Sequence, residues 1–528
     1  MSAGLSSFCE RFPKYALLAP RWEPTRLRDV TFEKLPDVEV LYVFGLGAFY
    51  GQLKSWLHEH PERQLVILEE DEGVVAAALQ QPQPWLSDSQ VDFVLLPTGK
   101  SREIVYQELA EKYPAKHIEV FGPAKDRLLL LRKTTLAHAL FIDRLHGHQP
   151  FENFVRNISR LNGGFYANGL KNSFQNVPAI VCGAGPSLQA AIPLLKQLEG
   201  RAIVIAGGST LAALSAQGYQ PHFGVAIDPN LEEYHRFQNS FCFEGPLLFS
   251  TRVFPQIFDT CNGPFGYLRS GVGGVPELWL EEEIKLTDPL LGHHLSEESI
   301  SVTAICLAFA QHIGAGPILL SGVDLAYTGG KRYAAGVTDE KLRLKDLEKT
   351  HNSADRIVRR KDKQGKQVFT AVRWIMEAAS ISHYAKSHPE IEWINTTAGG
   401  LPIAGLQEMS LEAAAEKYLS KQWDLRGKVA QQIALNPLPV VPDLLRELKE
   451  SLVRLIGHLE VLTGQKKGAK ALAEIEMREE LAMSILFYDM PKVLEQALSR
   501  KVRKSGEERH AAGWSLHLQI ARKYLERV

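Results

Sequence analysis

Short, unbroken apolar runs alternate with amphipathic stretches over the first three quarters of the chain. Residues 38–44, 65–68, 91–96 and 118–121 are such runs, and a helical pattern at 49–58 separates the first two. Strand, helix, strand in this rhythm predicts a parallel sheet with helices on its faces. A charged helical stretch follows from 126 to about 161, and the polar residues 172–177 read as a loop. A second series then places apolar runs at 179–182, 202–206, 223–227, 246–250 and 318–321, with a late strand at 391–394. Runs that are apolar at every position suit strands covered on both faces. Between them, residues 301–312 bring Val302, Ile305, Cys306 and Phe309 to one helical face. Beyond about residue 405 the strand signal stops, and leucine and valine recur at helical spacing across 444–462, 475–498 and 514–525.

The pattern predicts an α/β chain: two successive Rossmann-like parallel-sheet domains followed by an all-helical C-terminal domain. The expected divisions are an N-terminal scaffold domain at 1–123, a helical connector at 124–176, a central catalytic domain at 177–405 and a helical domain at 406–528. A length of 528 residues fits several cores better than one. The net charge of −1 supplies no bulk attraction to nucleic acid or an anionic membrane, and neither is expected as a partner. No apolar run approaches the roughly 18 residues of a membrane span. Five scattered cysteines without a CxxC, and no basic-then-apolar leader near residue 1, fit a reducing, cytoplasmic setting.

Candidate chemistry gathers where strands run into small residues. The run at 179–182 leads into Gly183-Ala184-Gly185-Pro186-Ser187-Leu188 and then a helical pattern. A strand ending in glycines and opening a helix puts free N–H groups and the positive helix end together, which suits a phosphate. Pro186 suits the first helical turn, Ser187 adds a hydroxyl, and Pro193 is expected to end or bend the helix near Ile192. Gly207-Gly208-Ser209 and Asp228-Pro229-Asn230 follow the next two strands and fall at the same carboxyl edge of the sheet, where open α/β sheets bind ligands. Asp324, Tyr327 and Thr328 follow a fourth strand. Asp228 and Asp324 suit a base, a metal ligand or a ribose acceptor, and equally a turn carboxylate. In the first domain Gly45-Leu46-Gly47 with Glu69 imitates a dinucleotide fingerprint, but Tyr50 stands in place of the third glycine, so a scaffold role is expected. HExxH, GxSxG and GxxxxGK[ST] are absent from the sequence, which disfavours zinc-protease, α/β-hydrolase and Walker-type chemistry.

The Gly183 to Leu188 loop, Asp228-Pro229-Asn230, Gly322-Val323-Asp324-Leu325-Ala326-Tyr327-Thr328, and Thr397-Ala398-Gly399-Gly400 with Ile403-Ala404-Gly405 stand in the order seen in the motility-associated-factor proteins. The chain resembles that family, whose central domain is of the 6-hydroxymethylpterin diphosphokinase (MptE-like) type and is similar to bacterial sialyltransferases. The resemblance implies a glycosyltransferase that moves a nonulosonic acid from a CMP-activated donor to Ser or Thr of a protein acceptor such as flagellin, with no cofactor required. Two positions depart from the family pattern: Tyr333 stands where histidine is frequent, and Ala398 replaces an acid.

On this reading Gly183 to Leu188, Gly207, Gly208, Ser209, Asp228, Asn230, Thr328, Thr397, Gly399 and Gly400 bind the donor. Asp324 or His351 takes the acceptor proton, and Tyr327 assists the leaving group. Two alternatives stay open. A diphosphokinase would hold ATP on the same loop, with Mg²⁺ on Asp228 and Asp324. A non-enzymatic nucleotide-binding protein would use the loop without turnover.

Overall fold

The computed structural model describes residues 2–26, 32, 35–47, 49–114, 116–145, 148–238, 244–296, 298–299, 301–337, 356–464, 470–487 and 506–528. The chain forms two compact units. One runs from Met1 to Ile142 and takes in a return of the chain that includes Arg356 and Ile357; the other comprises Asp143–Leu344 and Val358–Val528.

The first unit holds a four-stranded parallel sheet of β1 (Val40–Phe44), β2 (Gln64–Glu69), β3 (Val91–Leu95) and β4 (Ile118–Phe121), in the order β3-β2-β1-β4. Its core joins Leu41, Val43, Leu65 and Ile67 to Phe8, Phe12, Tyr15, Trp85 and Phe93, an aromatic cluster drawn partly from the short helix Ala3–Arg11. After β1 the chain turns at Gly45, φ 101°. There the Glu69 carboxylate, 1% exposed, accepts from the amides of Leu46 (2.9 Å), Glu70 (2.8 Å) and Asp71 (2.9 Å). The acidic residue of the imitation fingerprint therefore takes one amide of the glycine turn, Leu46, with one oxygen and the two amides that follow its own strand with the other. Tyr50 opens the helix Tyr50–Glu59 and donates its hydroxyl to Asp88 at 2.7 Å.

The second unit is built on a nine-stranded sheet. Its strands are β5 (Phe165–Tyr166), β6 (Ala179–Cys182), β7 (Ile203–Gly207), β8 (Phe223–Ala226), β9 (Leu247–Phe249), β10 (Phe265–Tyr267), β11 (Ile318–Ser321), β14 (Trp393–Asn395) and β15 (Gln407–Glu408). The order is β15-β14-β11-β6-β7-β8-β9-β10-β5, and each neighbouring pair is parallel. Two further strands, β12 (Ile357–Lys361) and β13 (Gln367–Ala371), pair separately. From β6 the chain steps outward through β7 to β10 and then returns to set β11 on the other side of β6. The strand order reverses there, and in open α/β sheets the crevice at such a reversal is where ligands bind.

Alternate side chains of β6 and β11 serve two cores. Ile180, Cys182 and Leu319 join the C-terminal helices on one face; Ala179, Val181, Ile318 and Leu320 join the helices Val302–His312 and Val372–Ser387 on the other. This is why the runs are apolar at every position. The C-terminal region is mainly helical, but the span expected to be all-helical from 406 begins with β15, whose Gln407–Glu408 pair with β14 and extend the central sheet. Its longest helices are Leu444–Thr463 and Gly506–Leu525; Leu448, Leu452, Leu455 and Leu459 form a fully buried stripe at helical spacing. Burying each contributes about 1.5–3 kcal/mol. The helical run expected at 475–498 instead breaks at Glu480, between Lys470–Glu479 and Leu481–Leu486. Glu480 accepts there from Ser451 at 2.7 Å and Arg454 at 2.9 Å. Residues 488–498 of that run lie outside the described residues. The helix after the glycine loop does not end at Pro193: Leu188–Gln197 continues through it. Leu188, Ile192 and Leu195, each no more than 2% exposed, anchor it on both sides of the proline.

Candidate functional site

The reversal between β6 and β11 opens into a cleft of about 470 Å³. Gly183, Ala184 and Gly185 after β6 line it, with Gly207, Gly208 and Ser209 after β7, Asp228 and Asn230 after β8, and Asp324 after β11. Four strand ends thus deliver the expected residues to one crevice. Gly208, at φ 48°, turns the chain into the helix Ser209–Ala216, whose first residues Ser209 and Thr210 face the cleft. A helix begins with unpaired N–H groups and positive potential, so this end suits an anion.

The Gly183 loop itself is tied down by protein. The Gly183 amide donates to Ser321 O and the Gly185 amide to Gly322 O, both at 2.8 Å. The Ser187 amide lies 3.3 Å from each oxygen of Asp324, and the Ser187 hydroxyl donates to the same carboxylate. Asp324 is 1% exposed. Burial raises its pKa, against the hydroxyls of Ser187 and Thr328 and the charge of Lys363. A Cβ on Gly185 would stand 2.2 Å from Asp324 Oδ2, so this glycine is required for the two loops to approach each other.

Thr397, Gly399 and Gly400 complete the same clamp. The Thr397 hydroxyl accepts from the Val323 amide at 3.0 Å, and Leu401 donates to Asp324 O at 2.8 Å. Gly400 has φ 82°, and a Cβ there would meet Asp324 O at 1.9 Å. Held between these loops, Leu325 takes the left-handed conformation, φ 51°, with its carbonyl accepting from Thr370 at 2.6 Å. Non-glycine residues persist there only when surroundings over-determine them, and such strain gathers at functional sites.

The remaining expected residues lie apart from the cleft wall. Leu188 is in the core, Pro186 is in the turn leading to it, and Ser187 and Thr397 border a second cavity of about 540 Å³ beside Lys363. Tyr327, 4% exposed, packs in a tilted arrangement with its ring 5.0 Å from that of Trp374, and Thr328 opens the turn Thr328–Gly330 next to Gly399. His351 lies outside the described residues.

The cleft also holds residues that sequence reasoning passed over. Arg236, Arg332 and Arg373 line it, and the guanidiniums of Arg332 and Arg373 lie 6.0 and 5.7 Å from the Trp374 ring. Arg332 also covers the ring of Tyr333, at 5.0 Å. Two buried glutamates share the lining. Glu377 accepts from Ser301 at 2.6 Å, and burial raises its pKa. Glu233 pairs with Arg236 at 2.9 Å; burial and the nearby Asp228 push its pKa up to about 7 against the pull of Arg236. With Glu233, Asp324 and Glu377 all shifted toward the neutral form, an anion meets less opposing charge beside the three arginines. Among the described residues, no three His, Cys, Asp or Glu side chains converge as a metal site. Within the same limits, no helix is long and apolar enough to cross a membrane.

Residues 152–330 match the family model described as 6-hydroxymethylpterin diphosphokinase MptE-like. The whole chain is similar to the structure of the MAf glycosyltransferase from Magnetospirillum magneticum AMB-1, covering 100% of this chain and 83% of that one, with 16% identity and a TM-score of 0.51. No curated protein sequence matches it. The chain is thus Maf-type by fold, with an MptE-like domain at its centre.

Proposed function

We propose that the cleft transfers a nonulosonic acid from a CMP-activated donor to a serine or threonine hydroxyl of a protein such as flagellin. The observation that carries this reading is the meeting, at the β6–β11 reversal, of a helix amino end at Ser209 with the guanidiniums of Arg236, Arg332 and Arg373. A sugar nucleotide of this class carries a phosphate and a sugar carboxylate, and this lining offers separate cations and amides for two anions. The acceptor oxygen attacks the anomeric carbon, the bond to phosphate breaks, and negative charge grows on the departing phosphate. Fixed donors aimed at that charge lower the barrier. Asp324 acts in this scheme through Ser187, holding the loop in place, and Tyr327 acts through Trp374.

Calorimetry with CMP, CDP, ATP and a pterin tests donor choice, and sugar transfer to flagellin tests the reaction. CMP or its sugar conjugate is expected to bind, and transfer is expected to persist in chelator, because a single phosphate demands less charge neutralisation than a triphosphate. The match of residues 152–330 to the MptE-like model favours a second reading, pyrophosphoryl transfer from ATP. That chemistry needs Mg²⁺. Asp228 faces the cleft, but the carboxylate of Asp324 is committed to Ser187, so the pair fits the ion poorly. Preference for ATP over every cytidine nucleotide, with activity lost in chelator, would install the second reading in place of the first.

A further inference from the structure

Glu233 combines burial with access. It is 2% exposed, yet it borders the cleft from the helix Leu231–Phe237. Its carboxylate lies against the turn that opens the helix Ser209–Ala216: a Cβ on Gly208 would stand 3.1 Å from Oε1. Among the described residues, the charged groups around it are opposed. Arg236, on its own helix, pairs with Oε2 at 2.9 Å, and Asp228 faces it from the loop after β8. Tyr333 neighbours Arg236, and Glu232 precedes it in the lining.

We propose that Glu233 is the general acid that protonates the departing phosphate of the donor. The inference rests on the glycosyl-transfer reading, which sets that phosphate at the Gly208–Ser209 turn. In the step, the acceptor oxygen forms a bond to the anomeric carbon as the carbon–oxygen bond to phosphate breaks. The released electron pair stays on the phosphate oxygen, which takes the proton of the Glu233 carboxyl. The acceptor hydroxyl proton passes to water in the cleft, and the Glu233 carboxylate regains a proton from solvent before the next turnover. A bound phosphate adds negative charge beside Glu233 and so favours its protonated form further, in the same direction as burial and Asp228. Arg236 works the other way and keeps the proton transferable.

An acid must carry its proton, so turnover falls as pH rises through the pKa of Glu233 in the donor complex. The test is the pH dependence of kcat at saturating donor, measured by transfer to flagellin, with donor affinity followed separately by calorimetry. Glu233→Gln is expected to bind donor within about threefold of the parent, lose about 10²-fold in kcat and lose the alkaline limb. Glu233→Asp, which keeps an acid at shorter reach, is expected to retain the limb at reduced rate. Asp228→Asn should move the limb to lower pH and Arg236→Gln to higher pH, opposite shifts that a purely structural glutamate would not produce. A Glu233→Gln protein with near-parental kcat and an unchanged limb overturns the acid while leaving glycosyl transfer standing. A parent that binds no cytidine nucleotide and transfers no sugar removes the transfer reading, and the acid with it.

Discussion

Gly400 is a stringent test of how the strand-end loops are held together. Its φ is 82°, and a side chain would reach to 1.9 Å of Asp324 O. Gly400→Ala therefore combines left-handed strain with a backbone clash, a cost of roughly 2–5 kcal/mol. Chemical denaturation should show that loss, and an alanine variant within 0.5 kcal/mol of the parent, about the spread of neutral surface changes, would mean that the clamp yields freely. Asp324→Asn is milder. It keeps the shape but weakens the bonds from the Ser187 amide and hydroxyl, for about 1–3 kcal/mol. Its turnover should fall with donor affinity kept within about tenfold, or about 1.4 kcal/mol. Parental turnover would reduce Asp324 to a turn carboxylate. These glycines and acids were legible in the sequence as a set, because strand ends followed by Gly, Ser and Asp announce close approach. Their partners were not. Nothing in the spacing says that Asp324 faces Ser187, and Glu233 reads as one of two acids in a charged helix until its burial is seen.

At the scale of elements, legibility followed length and surroundings. The central strands β6, β7, β8 and β11 stand out because both of their faces are covered, leaving unbroken apolar runs. β5, β10 and β15, of two or three residues, are too short to carry a period, and the polar pattern of β12 hides it, since none of its residues is fully buried. As an end signal Pro193 misled, because its missing N–H was weighed without the three core contacts that keep its helix intact. One buried polar group ties neighbouring strands and makes stability depend on pH. His222, 1% exposed, accepts the Val204 amide on Nδ1 at 3.0 Å at the entry to β8. That bond requires the neutral ring, and burial with the nearby Arg426 pushes its pKa down to about 3. A depressed pKa contributes stability that is complete above the unfolded value, about 6.5, and is lost as pH falls toward the folded value. The slope approaches about 1.4 kcal/mol per pH unit. Between pH 6.5 and 5 the parent should lose about 1.6 kcal/mol more than His222→Asn, which does not titrate there. Equal losses in the two proteins, or a His222 ring resonance that titrates near 6.5, would contradict this.

Across the whole molecule, each of the two units has its own core, and they differ in what their sheet edges offer. In the second unit the edge at the β6–β11 reversal opens into the cleft, with arginines and a helix amino end exposed to it. In the first, the corresponding turn after β1 is closed by Glu69, which takes the amides of Leu46, Glu70 and Asp71. A dinucleotide phosphate would have to displace a buried carboxylate carrying three hydrogen bonds, and bonds to a charged acceptor contribute about 1.5–3 kcal/mol each. Nucleotide binding is therefore expected to stabilise one unit and leave the other unchanged. A ligand at a hundred times its Kd stabilises the state it binds by about 2.7 kcal/mol, which slows exchange through global opening by about a hundredfold. Hydrogen exchange followed by mass spectrometry, with and without saturating CMP, should show that protection in peptides spanning 179–237 and 318–333. Peptides spanning 40–70 and 91–121 should exchange at the same rate in both. Glu69→Ala provides the control on the assignment: it should speed exchange in the 40–70 peptides by freeing the turn, without altering CMP affinity. Protection by CMP at 40–70, or weaker CMP binding in Glu69→Ala, would make the first unit part of the binding site and end its reading as a scaffold.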